Sequence, residues 1–205
     1  MKILYKKIMI KNEIKSPSSE LIKEYLTKWE SLDNYVLQEK SLRKLFSKTY
    51  PMNKEMDDVL IKVCSLNDFY STNIFSPFAV AKHIVSLNID DKLNNNDLKL
   101  VNDIAVVKVN NTRVLNFYSF ATKYCSHHKP EIYPIYDSFV EKLLLYFKKK
   151  DKFFNFNRID LKTYSIYKEI LVNFQKFYSL DNYSLREIDL YLWQAGKMYF
   201  PKKYK

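Results

Sequence analysis

Apolar residues recur at three- and four-residue intervals along most of this chain, the spacing of a helix with one buried face. Ser16-Pro17 reads as a cap followed by a first-turn proline and predicts a helix through about Trp29. A second helix is predicted from about Asn34 to Lys48, ending before Pro51. EMDDVLIKVCSLNDFYS gives a third, with acids in its first turn as the helix dipole prefers. Ser76-Pro77 repeats the cap-proline device ahead of FAVAKHIVSL. The asparagine-rich LNNND breaks the chain before LKLVNDIAVVKV, and TRVLNFYSFATKYCSHH follows as a long apolar helix. Pro130 and Pro134 bracket a crossing to DSFVEKLLLYF. Beyond a lysine-rich loop come LKTYSIYKEILVNFQKFYS and SLREIDLYLWQAGKMYF, with Gly196 near the end of the last helix and Pro201 past it. The pattern predicts an all-α chain of about eight or nine helices, without internal repeat or clear domain boundary.

Composition narrows the function. A single glycine in 205 residues excludes glycine-rich phosphate loops and argues against a hairpin-rich β fold. Hydrophobic residues make up 47% of the chain, enough for a core, and no apolar run is long enough to span a bilayer. MKILYKKIMIKNEIK lacks a cleavage site and has its apolar residues interrupted by lysines, so it is a poor signal peptide and a cytoplasmic location is expected. Cys64 and Cys125 fit a reducing compartment as small buried hydrophobes. With three histidines and no CxxC or HExxH, neither a metal site nor a cofactor is expected. The net charge of +11 favours a polyanionic partner.

Chemistry concentrates in SFATKYCSHHKPEIYPIYDSFVEKLLLYF, which holds a lysine on an apolar helix, two adjacent histidines, a proline-bracketed crossing and one carboxylate, Asp137. Aspartate is a preferred helix cap, and DSFVEKLL is a sequence such a cap opens. The arrangement also resembles the helix-hairpin-helix DNA glycosylase superfamily, in which an aspartate at this place both caps a helix and is catalytic. IYPIYDSFVEKLL matches that stretch, FYSFATKYCSHH matches the helix behind the hairpin, and LNDFYSTNIFSPFAVAKHI is similar to the segment that enters the DNA stack. The resemblance covers about Met56 to Leu145, with residues 1–55 and 148–205 supplying helices that complete a second lobe of a single domain.

The resemblance implies a two-lobed monomer that flips a base from double-stranded DNA and cuts its glycosidic bond with Asp137. Lys123 would be a Schiff-base lysine, although counting back from Asp137 places Ser119, one helical turn earlier, at the family's position. Tyr70 matches the wedge position, with Asn73 close behind, and Tyr118, His127, Tyr136 and Trp193 are pocket candidates. The family's glycine turn is replaced by VNNTRVLNF, so Asn111, Thr112 and Arg113 would meet a phosphate at a degenerate hairpin. Lys148, Lys149 and Lys150 would add electrostatic affinity for the backbone. The missing glycines leave a non-enzymatic nucleic-acid-binding protein as the alternative.

Overall fold

The computed structural model describes residues Glu13–Pro201, so most of the amino-terminal stretch read above lies outside the described residues. Ten α-helices dominate them, joined by one two-stranded sheet. α1 (Ser19–Glu30) and α2 (Asp33–Lys44) are followed by a π turn over Leu45–Thr49, and then α3 (Met56–Tyr70) and α4 (Pro77–Ser86). The short helices α5 (Ile89–Asn94) and α6 (Lys99–Ala105) lead into strands β1 (Val106–Lys108) and β2 (Val114–Asn116). α7 (Tyr118–His128), α8 (Ser138–Asp151), a 3-10 turn over Arg158–Lys162, α9 (Tyr164–Phe177) and α10 (Leu185–Tyr199) complete the order. No described helix is long and apolar enough to cross a membrane.

Caps set several boundaries. The amide of Leu21 donates to Ser18 Oγ at 3.3 Å, so Ser18 rather than Ser16 opens α1. Ser16 instead donates to Asp151 Oδ2 at 3.2 Å, tying the start of the described chain to the end of α8. Pro77 occupies the first turn of α4, as read from the sequence. Ser184 and Glu187 form a reciprocal capping box at the start of α10.

Two segments depart from the helical reading. The expected hairpin turn between helices is an antiparallel β pair, with Val107 opposite Leu115. β-branched Val106, Val107 and Val114 favour extended backbone, and the amide of Val109 donates to the Arg113 carbonyl at 3.0 Å to close the loop. α7 therefore begins only at Tyr118. The lysine run 148–150 is the last turn of α8 rather than a loop, where cations complement the carbonyl end of the helix dipole.

α7 is the central rod: nine of its eleven residues are buried, including the polar Thr122, Lys123, Ser126 and His127. α6 and α3 pack against it, while α10 packs on α8 and α1. A second polar knot lies under α3, where Lys62 is fully buried. Its amine donates to the carbonyls of Tyr50 and Met52 and to Asn53 Oδ1, at 3.0, 2.8 and 2.6 Å. Asn53 also accepts from Tyr124 Oη at 2.6 Å and gives its amide and side-chain nitrogen to Asp90. Burial pushes the Lys62 amine down to about 8, against the opposing pull of Asp90. Cys125 is buried as expected, whereas Cys64 is exposed.

The lone glycine is not a terminator. Gly196 lies inside α10, where a Cβ would come within 2.6 Å of the Phe139 carbonyl oxygen in the first turn of α8. Only a residue without a side chain permits that approach of helix backbone to helix backbone. Gly196→Ala is expected to destabilise the fold by about 2 kcal/mol in urea unfolding despite its better helix propensity. Unchanged or increased stability would show that α10 has room to shift.

Candidate functional site

Lys123 carries a long side chain on the buried helix α7. Such side chains lean toward the helix amino terminus, so the amine reaches the level of Ser119, one turn before its own Cα. There Nζ donates to Ser119 Oγ at 2.5 Å and lies 3.4 Å from the Tyr136 carbonyl oxygen. It also stands 5.3 Å from the centre of the Tyr70 ring. Lys123 is only 3% exposed, and burial lowers its pKa. Asp137 and Asp189 oppose that shift, while Arg186 adds to it. The neutral, nucleophilic amine is thereby favoured more than in water.

Asp137 caps α8, its Oδ1 accepting the Phe139 amide at 2.8 Å. The extended segment leading to it is held by side chains rather than by a sheet. Tyr164 Oη donates to the Pro134 carbonyl at 2.8 Å and Tyr167 Oη to the Ile135 carbonyl at 2.6 Å. The Tyr136 carbonyl accepts from Ser119 Oγ at 3.1 Å, and its amide donates to Thr122 Oγ1 at 3.1 Å. Each of three consecutive carbonyls thus has a side-chain partner from α7 or α9, which fixes the direction in which Asp137 leaves the crossing.

Lys123 and Asp137 line one cleft of about 490 Å³. Its far wall comes from the helices at the two ends of the chain. Arg186 on α10 donates to Asp189 Oδ2 at 2.6 Å and, through Nη2, to Glu39 Oε1 of α2 at 3.0 Å. Burial raises the Asp189 carboxyl to about 6, with Arg186 pulling the other way. Trp29, Tyr35 and Trp193 add an aromatic end, with Tyr35 and Trp193 centroids 5.3 Å apart. Lys197 Nζ lies 4.9 Å from each of those two ring centres.

Next to Ser71 at the cleft, the α3–α4 loop is locked by Asn67. Its Oδ1 accepts from the Ile74 amide at 2.9 Å and Thr72 Oγ1 at 2.8 Å, and its Nδ2 donates to the Ile74 carbonyl at 3.1 Å. The loop uses left-handed backbone at Ser71 and Asn73 and presents Phe75 at 92% exposure.

Among the residues singled out from sequence, Asp137, Lys123, Tyr70 and Trp193 meet in this cleft. Tyr70 forms its wall, its hydroxyl 3.1 Å from His127 Nε2 and pushed up to about 12 by burial. His127 sits behind Tyr70 and lines a smaller cavity of about 220 Å³. Burial and nearby cations hold it neutral, with a pKa of about 3. Tyr118 and Tyr136 are buried in contact with each other, and Tyr136 bonds Glu141, which Arg158 and Lys162 also engage. Neither tyrosine lines the cleft. Asn73 is exposed on the locked loop, and Asn111, Thr112 and Arg113 are exposed at the β-pair tip. Lys148 donates to the Phe156 carbonyl, and Lys150 bonds the Ile14 carbonyl and Glu13. Lys149 is exposed, about 17 Å along α8 from the helix start.

The sequence reading missed Glu39, Arg186 and Asp189, as well as Trp29, Tyr35 and Phe75. The Arg186/Asp189 spacing of three on a helix was the available signal. No group of three or more His, Cys, Asp or Glu among the described residues could hold a metal ion.

A buried amine costs stability. Because the folded pKa of Lys123 lies below its ordinary 10.5, the unfolded chain binds more protons over that interval. Stability therefore falls as pH drops below 10.5 and levels off below the folded pKa. Lys123→Met removes this slope and is expected to stabilise the fold by about 1 kcal/mol at neutral pH in urea unfolding. A destabilised variant would mean that the amine holds the structure together.

The family described as HI_0787_N, an N-terminal domain, matches residues 21–132, a span that includes Lys123 and Tyr70 and stops before Asp137. A protein of Haemophilus influenzae (strain ATCC 51907 / DSM 11121 / KW20 / Rd), described as uncharacterized, is 49% identical over 148 residues, 72% of this chain and 70% of that protein. No solved structure matches the chain. By the extent of both matches, this chain belongs to the HI_0787_N family.

Proposed function

We propose that the chain is a DNA N-glycosylase of the helix-hairpin-helix type, with its active site in the Lys123–Asp137 cleft. The observation that carries this reading is the convergence of a buried, pKa-lowered amine and a rigidly held carboxylate in one aromatic-walled cavity of a protein of net charge +11. The offset between Lys123 and Ser119 supports it too, because the amine reaches the Ser119 position. The β pair between α6 and α7 stands in for the glycine hairpin, with Arg113 at its exposed tip.

In this mechanism the target nucleotide leaves the stack and its base enters the cleft. Asp137 stabilises the positive charge that develops on the sugar as the C1′–N bond breaks and its electron pair leaves with the base. Neutral Lys123 donates its lone pair to C1′. One amine proton is lost and the other passes to the ring oxygen as the C1′–O bond opens, which yields the imine, from which strand cleavage proceeds by elimination. The wedge role moves from Tyr70, which walls the cleft, to Phe75, an apolar side chain held in solvent by the Asn67-locked loop.

The test is excision from a panel of duplex oligonucleotides carrying uracil, alkylated, oxidised, deaminated or glucosylated bases. Wild-type protein is expected to release one class. Asp137→Asn, with its cap retained, is expected to lose roughly a hundredfold or more in rate. An Asp137→Asn variant as active as wild type contradicts the assignment. Salt-sensitive binding with no excision anywhere on the panel selects a non-enzymatic DNA-binding protein instead. Phe75→Ala is expected to slow excision about tenfold in a matched duplex and much less in single-stranded substrate, where no stack needs opening. Equal losses on both substrates would remove Phe75 from the wedge.

A further inference from the structure

Lys62 falls on the apolar stripe of α3, at a buried position shared with Val59, Val63 and Leu66. Its amine ends among aromatic rings, 5.5 Å from the centre of Phe46 and 5.8 Å from that of Tyr124. The side chain it meets there is Asn53, itself 1% exposed. Hydrogen bonding fixes which end of that amide faces which neighbour. The Asp90 carboxylate offers acceptors, so Asn53 Nδ2 faces it and donates to Oδ1 at 2.7 Å. Lys62 Nζ, Tyr124 Oη and His128 Nε2 gather on Asn53 Oδ1 instead, at 2.6, 2.6 and 3.2 Å. The other Asp90 oxygen takes the Asn53 backbone amide at 3.0 Å, which keeps the carboxylate against the side-chain nitrogen. An amine, a primary amide and a carboxylate are thus in contact, with the amine and the amide out of water.

We propose that Lys62 and Asn53 join in an intramolecular isopeptide bond, with Asp90 as the proton carrier. The inference is independent of the reading of the Lys123–Asp137 cleft. A neutral amine has two N–H groups and one lone pair. The carbonyls of Tyr50 and Met52, 3.0 and 2.8 Å away, take the two N–H groups, and the lone pair turns to the Asn53 amide carbon. Burial brings the amine down to about 8, so about a tenth of it is neutral at neutral pH before reaction. As the new N–C bond forms, negative charge moves onto Oδ1, where the Tyr124 and His128 donors stay in place. Asp90 takes one proton from the attacking nitrogen and hands it to Nδ2. The C–Nδ2 bond then breaks with its electron pair on nitrogen, and one ammonia leaves. Amine and primary amide become a secondary amide and ammonia, so atoms and charge balance without oxidant or cofactor. Escape of ammonia to solvent drives the exchange, and the surrounding rings keep water from the product.

Intact-mass spectrometry of the full-length chain reads this bond directly, after incubation of the folded protein near the Lys62 pKa of about 8. The wild-type protein is expected to be about 17 Da lighter than the linear chain, the mass of one ammonia. Tryptic digestion is expected to give one branched peptide joining the Asn53 segment to the Lys62 segment, with no cleavage after Lys62. Asp90→Asn keeps the shape of the side chain but carries no proton, and its cross-linked fraction is expected to fall at least about tenfold after the same incubation. Lys62→Met is expected to keep its full mass. An unmodified wild-type mass overturns the proposal and leaves a knot held by hydrogen bonds alone. Loss of ammonia without the branched peptide, as a succinimide at an asparagine would give, also overturns it. So does Asp90→Asn protein that cross-links as fully as wild type. The wild-type measurement needs no variant to fold, so a Lys62→Met chain that fails to fold leaves the outcome decided.

Discussion

The backbone contact between α10 and α8 at Gly196 governs the site. The space a Cβ would need there is taken by the Phe139 carbonyl, two residues past Asp137. That approach brings the α10 face bearing Arg186, Asp189, Trp193 and Lys197 up to the amino terminus of α8. Any larger residue at 196 forces the two helices apart or strains one of them, and the cleft is bounded by both. The single glycine of the chain has been kept for a close approach rather than for a turn.

Around that contact most buried polar groups are satisfied locally, although Tyr191 Oη and Gln194 Oε1 on α10 have no hydrogen-bond partner among the described residues. The crossing to Asp137 has no sheet to bond it, so Ser119, Thr122, Tyr164 and Tyr167 supply its partners. The Lys62–Asn53–Asp90 knot does the same for the segment after α2. Lys123 differs in kind. Its amine has a neutral hydroxyl and carbonyls for partners and, among the described residues, no carboxylate within ion-pair distance, so burial still lowers its pKa. A buried amine kept without a close counter-charge, in a cavity open to ligand, fits the nucleophilic role proposed for it, whereas stability alone would remove it.

Much of this was legible in the sequence, and the misses have physical causes. Helical periods located most of the long helices, and the extended crossing before DSFVEKLL placed Asp137 as the cap it proves to be. VVK and VLN were read into flanking helices because short apolar runs carry no period that separates strand from buried helix. Tyr118 and Tyr136 lie outside the lining of this cleft, since residue type does not say which side of a central helix a ring occupies. Glu39 and Arg186 are 147 positions apart, so no local pattern could pair them. Lys123 looked one turn out of place because counting residues locates Cα atoms, whereas its amine lies about 6 Å nearer the helix start. Phe75 was unremarked because exposure of a large apolar side chain is a property of the loop that Asn67 locks.

Borohydride trapping on abasic-site duplex DNA, followed by peptide mapping of the covalent adduct, reaches the central claim most directly. The account predicts a single adduct on Lys123, formed faster as pH rises and absent in Lys123→Met protein that retains its fold. An adduct on any other lysine, or none from protein that binds the same DNA, would contradict the assignment of this cleft.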